Sequence, residues 1–229
     1  MPGVSLTASP QRSHKRFAQS SEPNVRIVIK ELKKKGRQFA IGLISVAVAG
    51  LVVVGCGADS GGDYGGQHPD YAKALAGAPA PLAALYKESD KLLPGGSSAF
   101  ERRIAALKGY PVVVNVWASW CGPCRFEFPT LQKVSAAYGK KVAFLGVNSQ
   151  DSNAGAETFL EEAPLPYPSF SDGNQEIAHT IGAGRGLPDT AYYGRSGTLC
   201  YLKQGPYAEH TELAADIQRF ALREKCESG

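Results

Sequence analysis

Apolar residues follow two regimes along this chain: one unbroken run near the start, and periodic clusters from residue 69 onward. The unbroken run is residues 39–54, FAIGLISVAVAGLVVV, sixteen positions without a charge. Residues 57–66, GADSGGDYGG, have no apolar period, cannot bury a core and read as a tether. Residues 70–93 and 98–108 carry helical spacing (Leu82, Leu85, Tyr86; Phe100, Ile104, Leu107), broken by Pro94-Gly95-Gly96. Pro111 then opens Val112–Ala118, a β-branched run typical of a strand buried on both faces. Phe128, Leu131, Val134 and Tyr138 mark a helix, and Val142–Val147 a second buried strand. Residues 153–162 predict a helix ending before Pro164, Pro166 and Pro168, and residues 174–181 a shorter one. Thr190–Tyr193 and Thr198–Lys203, joined by Gly194-Arg195-Ser196-Gly197, predict a hairpin, and His210–Leu222 a closing helix. Alternating strands and helices followed by a hairpin and a helix predict an α/β sheet with helices on both faces.

The early apolar run changes the picture of compartment. Sixteen helical residues span about 24 Å, short of the roughly 30 Å hydrocarbon core. The run follows the basic stretch Lys33-Lys34-Lys35-Gly36-Arg37 and ends in small residues before Cys56, the layout of an export signal. Val53-Val54-Gly55-Cys56 resembles a lipobox, in which a Cys becomes lipidated after cleavage. Two readings stand: a lipoprotein anchored through Cys56, or an uncleaved N-terminal anchor in which Cys56 is incidental. Both place the remainder on the extracytoplasmic face of the cell membrane. The stretch of 38 residues before the run is long for a signal peptide, and translation from Val25 or Val28 would shorten it to ordinary length.

Net charge is +4, but it is unevenly distributed. Residues 1–38 hold nine Lys/Arg against two Glu, which leaves 16 basic and 19 acidic residues beyond them. A nucleic-acid binder carries its basic excess on the folded part; this chain does not. The expected organisation is a basic, disordered region (1–38), a signal or anchor segment (39–55), a Gly-rich tether (56–68), a helical extension (69–107) and an α/β domain (108–229), as a monomer. No metal or nucleotide signature is present.

The chemistry lies in the cysteines. Trp120-Cys121-Gly122-Pro123-Cys124 sits at a predicted strand-to-helix junction. A two-residue spacer lets both sulfurs meet across one helical turn and cycle between dithiol and disulfide. Cys121 falls at the helix N-terminus, where the dipole and free N–H groups favour its thiolate. It is the expected attacking thiol; Cys124, one turn inside, resolves the mixed disulfide. Pro123 rigidifies the first turn at no hydrogen-bond cost. A zinc site would need two more ligands, and there is neither a second CxxC nor a clustered His pair. The disulfide is itself the redox group, so no further cofactor is expected. Cys200 in the last strand and Cys226 beyond the last helix form a candidate structural disulfide; the alternative is two independent thiols.

The run Val113-Val114-Asn115-Val116-Trp117-Ala118-Ser119-Trp120-Cys121-Gly122-Pro123-Cys124-Arg125-Phe126-Glu127-Phe128-Pro129 resembles the active-site stretch of the thioredoxin superfamily, most nearly its membrane-anchored TlpA/ResA/CcmG-type thiol–disulfide oxidoreductases. Gly146–Asp151, Asp172-Gly173 and Gly186-Leu187-Pro188-Asp189-Thr190 extend the resemblance over about residues 108–222. It implies a thioredoxin-like fold with a central mixed sheet. It also implies a cis Pro188 facing the disulfide, with Trp120, Pro123 and Leu187 lining the substrate surface. Thioredoxin keeps a buried Asp six positions before its first Cys; here that position is Asn115. Glu127 matches the carboxylate that TlpA-like proteins place near the pair, which implies proton transfer to or from Cys124; the alternative is a solvated charge beside Arg125. The resemblance further implies reduction of exported proteins, apocytochrome c among them, with electrons from a membrane donor of the CcdA/DsbD kind. An oxidant introducing disulfides, or a binding module that keeps the fold without catalysis, are the alternatives. Residues 69–107 match poorly: the family has a short strand and hairpin where helices are expected here.

Overall fold

The computed structural model describes residues 68–223 and Cys226; Cys56, the run 39–54 and the basic region lie outside the described residues. The elements are α1 (Tyr71–Ala74), α2 (Ala80–Tyr86), β1 (Leu92–Leu93), α3 (Gly96–Ala106), β2 (Val112–Trp117), α4 (Gly122–Tyr138), β3 (Ala143–Ser149), α5 (Asn153–Glu162), β4 (Ser169–Asp172), α6 (Glu176–Thr180), β5 (Asp189–Tyr193), β6 (Leu199–Gln204) and α7 (His210–Asp216), which runs on into a π-helical turn, Ile217–Ala221. They build one mixed sheet in the order β1-β4-β3-β2-β5-β6. β1, β4, β3 and β2 pair in parallel, β5 is antiparallel to β2, and β6 is antiparallel to β5 and so runs in the direction of the first four. This is the thioredoxin-like arrangement that the motif run implied.

Alternation along β2 divides the core. Val113 and Trp117 face α4, α5 and α7, with Phe128, Phe159, Tyr192 and Leu213; Val112, Val114 and Val116 face α2, α3 and α6, with Leu85, Phe100, Ile104 and Ile177. On the first face Trp117, Phe128 and Phe159 pack with ring centroids 4.6–5.8 Å apart. Every residue of β2 and β3 is buried, which is why both read as continuous apolar runs. Gly146 on β3 leaves room for the Trp117 indole to donate from Nε1 to the Ser169 hydroxyl, 3.2 Å away, a space that a Cβ would fill.

The structure corrects three expectations. Residues 70–93 are two short helices and a strand, because Gly77 (φ 75°) and Pro79 end the first turn and Leu92-Leu93 pair with Ser169-Phe170. A short strand does therefore interrupt the helical extension. β4 was not expected: its sequence, SFSD, is polar and follows three prolines, yet it pairs on both sides, with β1 and β3. The closing helix is α-helical only to Asp216 and then widens. The predicted helix over 153–162 matches α5; the first hairpin strand begins one residue earlier than expected, and the second is displaced by one residue.

Candidate active site

β2, an interior strand, delivers the chain to its C-terminal end, and α4 begins after a loop of four residues, 118–121. Cys121 is the N-cap residue of α4, with extended backbone (φ −80°, ψ 106°), and its Sγ accepts the Cys124 N–H at 3.2 Å. Gly122 and Pro123 fill the first turn, where no N–H is needed. The Cys121 and Cys124 sulfurs are bonded, with Cα atoms 5.2 Å apart. Cys121 keeps 4% exposure and Cys124 none, so an incoming thiol or disulfide meets Cys121 first.

The loop ahead of the pair is clamped by Asp151, from the turn after β3. Its carboxylate accepts from Ser119 N (2.6 Å), Ser119 Oγ (3.0 Å), Asn148 Nδ2 (2.9 Å) and Ser152 N (2.8 Å). Trp120 Nε1 donates to the Gln150 carbonyl at 2.9 Å, which holds the indole against that turn while 61% of the residue stays exposed. Phe126 is exposed as well, and Arg125 lies 4.2 Å over the Phe159 ring with its Nη2 3.1 Å from Glu162. Between Trp120, Arg125 and α5 is a cleft of about 380 Å³.

Glu127 lies one turn beyond Cys124 on the same helix and is fully buried, so the solvated-charge alternative does not hold. Oε1 accepts from Asn115 Nδ2 (2.7 Å) and Oε2 from Tyr207 N (3.1 Å). Burial pushes its carboxyl up to about 7, against the pull of those two donors and of the Lys203 ammonium; Asp189 pushes further up. Asn115, in the place of thioredoxin's Asp, thus serves as a donor to this carboxyl.

The Leu187–Pro188 peptide is cis. Asp189 pairs with Val116, so Pro188 stands at the end of β2 from which the Cys loop departs. Leu187 is half-buried against the core, and Pro188 is buried. Trp120, Cys121, Pro123, Cys124, Glu127, Leu187 and Pro188 therefore collect at one end of the sheet. Cys200 and Cys226 do not join them. Their sulfurs are bonded to each other beside Gly194, at the hairpin-turn end of β6. Asp151, Tyr207, Lys203 and Phe126 carried no role in the sequence. Phe126 had a signal, since it is a large apolar residue off the stripe of Phe128, Leu131 and Val134. Among the described residues no group of His, Cys, Asp or Glu could hold a metal ion.

The thioredoxin-like sheet carries a Cys-Gly-Pro-Cys disulfide at a helix N-terminus, with a cis-proline at the same end of the sheet, a layout similar to that of thiol–disulfide exchange proteins. The chain belongs to the Redoxin family, which matches residues 76–217. It is 37% identical over 103 residues to the thiol:disulfide interchange protein CycY of Rhizobium leguminosarum bv. viciae, covering 44% of this chain and 54% of that one. It is 36% identical over 118 residues to the thiol:disulfide interchange protein DsbE of Pseudomonas fluorescens biotype C, covering 50% and 64%. To the thiol-disulfide oxidoreductase ResA of Oceanobacillus iheyensis it is 30% identical over 104 residues, covering 45% and 54%. The chain spans about half to two thirds of the length of these curated relatives. Among solved structures it is similar to a secreted Mycobacterium tuberculosis disulfide oxidoreductase, at 25% identity over 51% of this chain and 86% of that chain, with a TM-score of 0.46.

Proposed function

We propose that this protein is an extracytoplasmic thiol–disulfide oxidoreductase that reduces disulfides in exported proteins. The observation that carries the reading is the position of Cys121. It caps α4 with a sliver of its surface, 4%, open to solvent, while Cys124 is sealed one turn inside and the Glu127 carboxyl lies one turn further. In the dithiol form the Cys121 thiolate, favoured by the helix N-terminus, attacks one sulfur of a substrate disulfide and expels the other as a thiolate. Cys124 then attacks Cys121 Sγ, releasing the substrate as a dithiol and leaving the Cys121–Cys124 disulfide. Glu127, titrating near neutrality, takes the Cys124 proton as that thiol becomes the nucleophile. Exposed Trp120, half-buried Leu187 and the cleft beside Arg125 offer the surface for an extended substrate segment.

Export follows from the leader, with Cys56 lipidated or residues 39–55 kept as anchor; a membrane donor of the CcdA/DsbD kind would return two electrons to the disulfide. The resemblance to TlpA/ResA/CcmG-type proteins extends the proposal to apocytochrome c as a substrate, beside relatives named as thiol:disulfide interchange proteins. The deciding measurement is the reduction potential of Cys121/Cys124 in the full-length protein, equilibrated against glutathione or dithiothreitol. A value at or below about −270 mV supports the reductase, and one approaching about −120 mV makes the protein an oxidant. Failure of wild type to reduce insulin, with no mixed disulfides trapped by Cys124→Ser, would leave a binding module.

A further inference from the structure

Between β6 and α7 the chain turns through Gln204, Gly205, Pro206 and Tyr207, and a single side chain organises that turn. Lys203 Nζ donates to the carbonyl oxygens of Gly205 (2.7 Å), Pro206 (3.0 Å) and Gln204 (3.4 Å), and lies 4.2 Å from the centroid of the Tyr207 ring. An ammonium has three N–H donors, and three carbonyls with one aromatic face satisfy it. The far end of the turn brings Tyr207 N to 3.1 Å from Glu127 Oε2. Tyr207 is held from the other side too: its hydroxyl donates to Asp216 on α7 at 2.6 Å and shares a hydrogen bond with the Tyr192 hydroxyl.

Register explains how a residue on the outermost strand reaches a carboxyl on α4. Asn115 on β2 pairs with Thr190 on β5, and Thr190 pairs with Lys203 on β6. Residues in register point to the same face, so Asn115, Thr190 and Lys203 form one row beneath α4. Asn115 meets Glu127 Oε1 from one end of this row, and Lys203 brings a positive charge along it from the other.

We propose that Lys203 is the positioning residue for the Glu127 carboxyl: it aims the Tyr207 amide at Glu127 through the turn and places a positive charge on the row of residues beneath that carboxyl. The groups that act on Glu127 come from every neighbouring element. They are the Asn115 amide from β2, Asp189 from β5, Lys203 from β6 and the Tyr207 amide, with the Tyr167 and Tyr192 hydroxyls also within electrostatic reach. Asp189 alternates to the opposite face, where it accepts from Gly184 N, and it opposes Lys203 in its effect on Glu127. The consequence for exchange rests on the proton-transfer role of Glu127 proposed above; the positioning of Glu127 by Lys203 does not.

The test is the titration of Glu127 in oxidised full-length protein labelled with ¹³C at Glu carboxyls, the Glu127 resonance being the one missing from Glu127→Gln. Lys203→Met is expected to raise the midpoint, and Lys203→Arg to restore it. An unchanged midpoint in folded Lys203→Met overturns the proposal. Should Lys203→Met fail to fold, Lys203→Gln keeps a donor for the turn carbonyls without the charge. The same upward displacement is required of it, and an unchanged midpoint overturns the proposal equally. A raised midpoint in the Lys203 variant beside a wild-type exchange rate in Glu127→Gln upholds Lys203 and removes Glu127 from the exchange, so the two failures are told apart.

Discussion

Glu127 is the residue at which burial and chemistry meet. Its carboxyl titrates near 4.5 when solvated and about 7 when folded. Between those values the native protein keeps a proton that the unfolded chain has lost. Stability contributed by this group is therefore full below about pH 4.5, falls as pH rises, and levels off above about pH 7, a difference on the order of 3 kcal/mol. Asp90, pushed up to about 6 by burial, acts in the same direction. The measurement is thus the difference between wild type and Glu127→Gln in urea unfolding at pH 5 and pH 8. The variant is expected to lose much of the pH slope; parallel slopes would mean that the carboxyl is solvated. Asp151 matters in another way, as the acceptor of four hydrogen bonds that fix the approach to Cys121. Asp151→Ala is expected to cost about 2 kcal/mol and to slow thiol exchange, read by urea unfolding and by insulin reduction. A stable variant with the wild-type rate would show that the clamp is dispensable.

At the scale of elements, legibility tracked the burial of apolar side chains. β2, β3 and α4 were plain in the sequence because two buried strands and a periodic helix leave continuous or regular apolar patterns. β4 left none. Ser169, Phe170 and Asp172 are buried by what covers the sheet while Ser171 is half-buried, and Ser169, Ser171 and Asp172 spend their polar groups on Trp117, Asn153, Ser149 and the amides opening α6. β1 was hidden because two leucines fit a helix stripe and a strand equally well, and only pairing with β4 decides. The Cys200–Cys226 pair belongs to this scale, joining β6 to the chain beyond the closing helix across 26 residues. Replacing both with Ser is expected to lower stability by about 3 kcal/mol and to leave the Cys121/Cys124 potential where it was. Both would be read on the same non-reduced samples, and a shift in potential would contradict a purely structural role.

For the whole molecule, the leader and the folded part make separate statements. No helix among the described residues is long and apolar enough to cross a membrane, and residues 39–54 lie outside them. Anchoring is therefore tested on the chain in cells: radioactive palmitate is expected to label wild type and not Cys56→Ala. Labelling of neither, with wild type still in the membrane fraction, would assign the anchor to residues 39–55. What the sequence determined by itself was local: the buried strand runs, the Cys pair at a helix start, and the position of Glu127 one turn on. Neighbours along the chain dictate these, and a short motif records them. The remaining contacts are non-local and exist only in the folded chain. The Asn115 amide and the Tyr207 amide close on Glu127 from positions 12 before and 80 after it, Asp151 clamps a loop 32 residues earlier, and Lys203 shares a row with Asn115 through strand register. The protonation of a buried carboxyl depends on its whole surroundings, and those are assembled only when the sheet is.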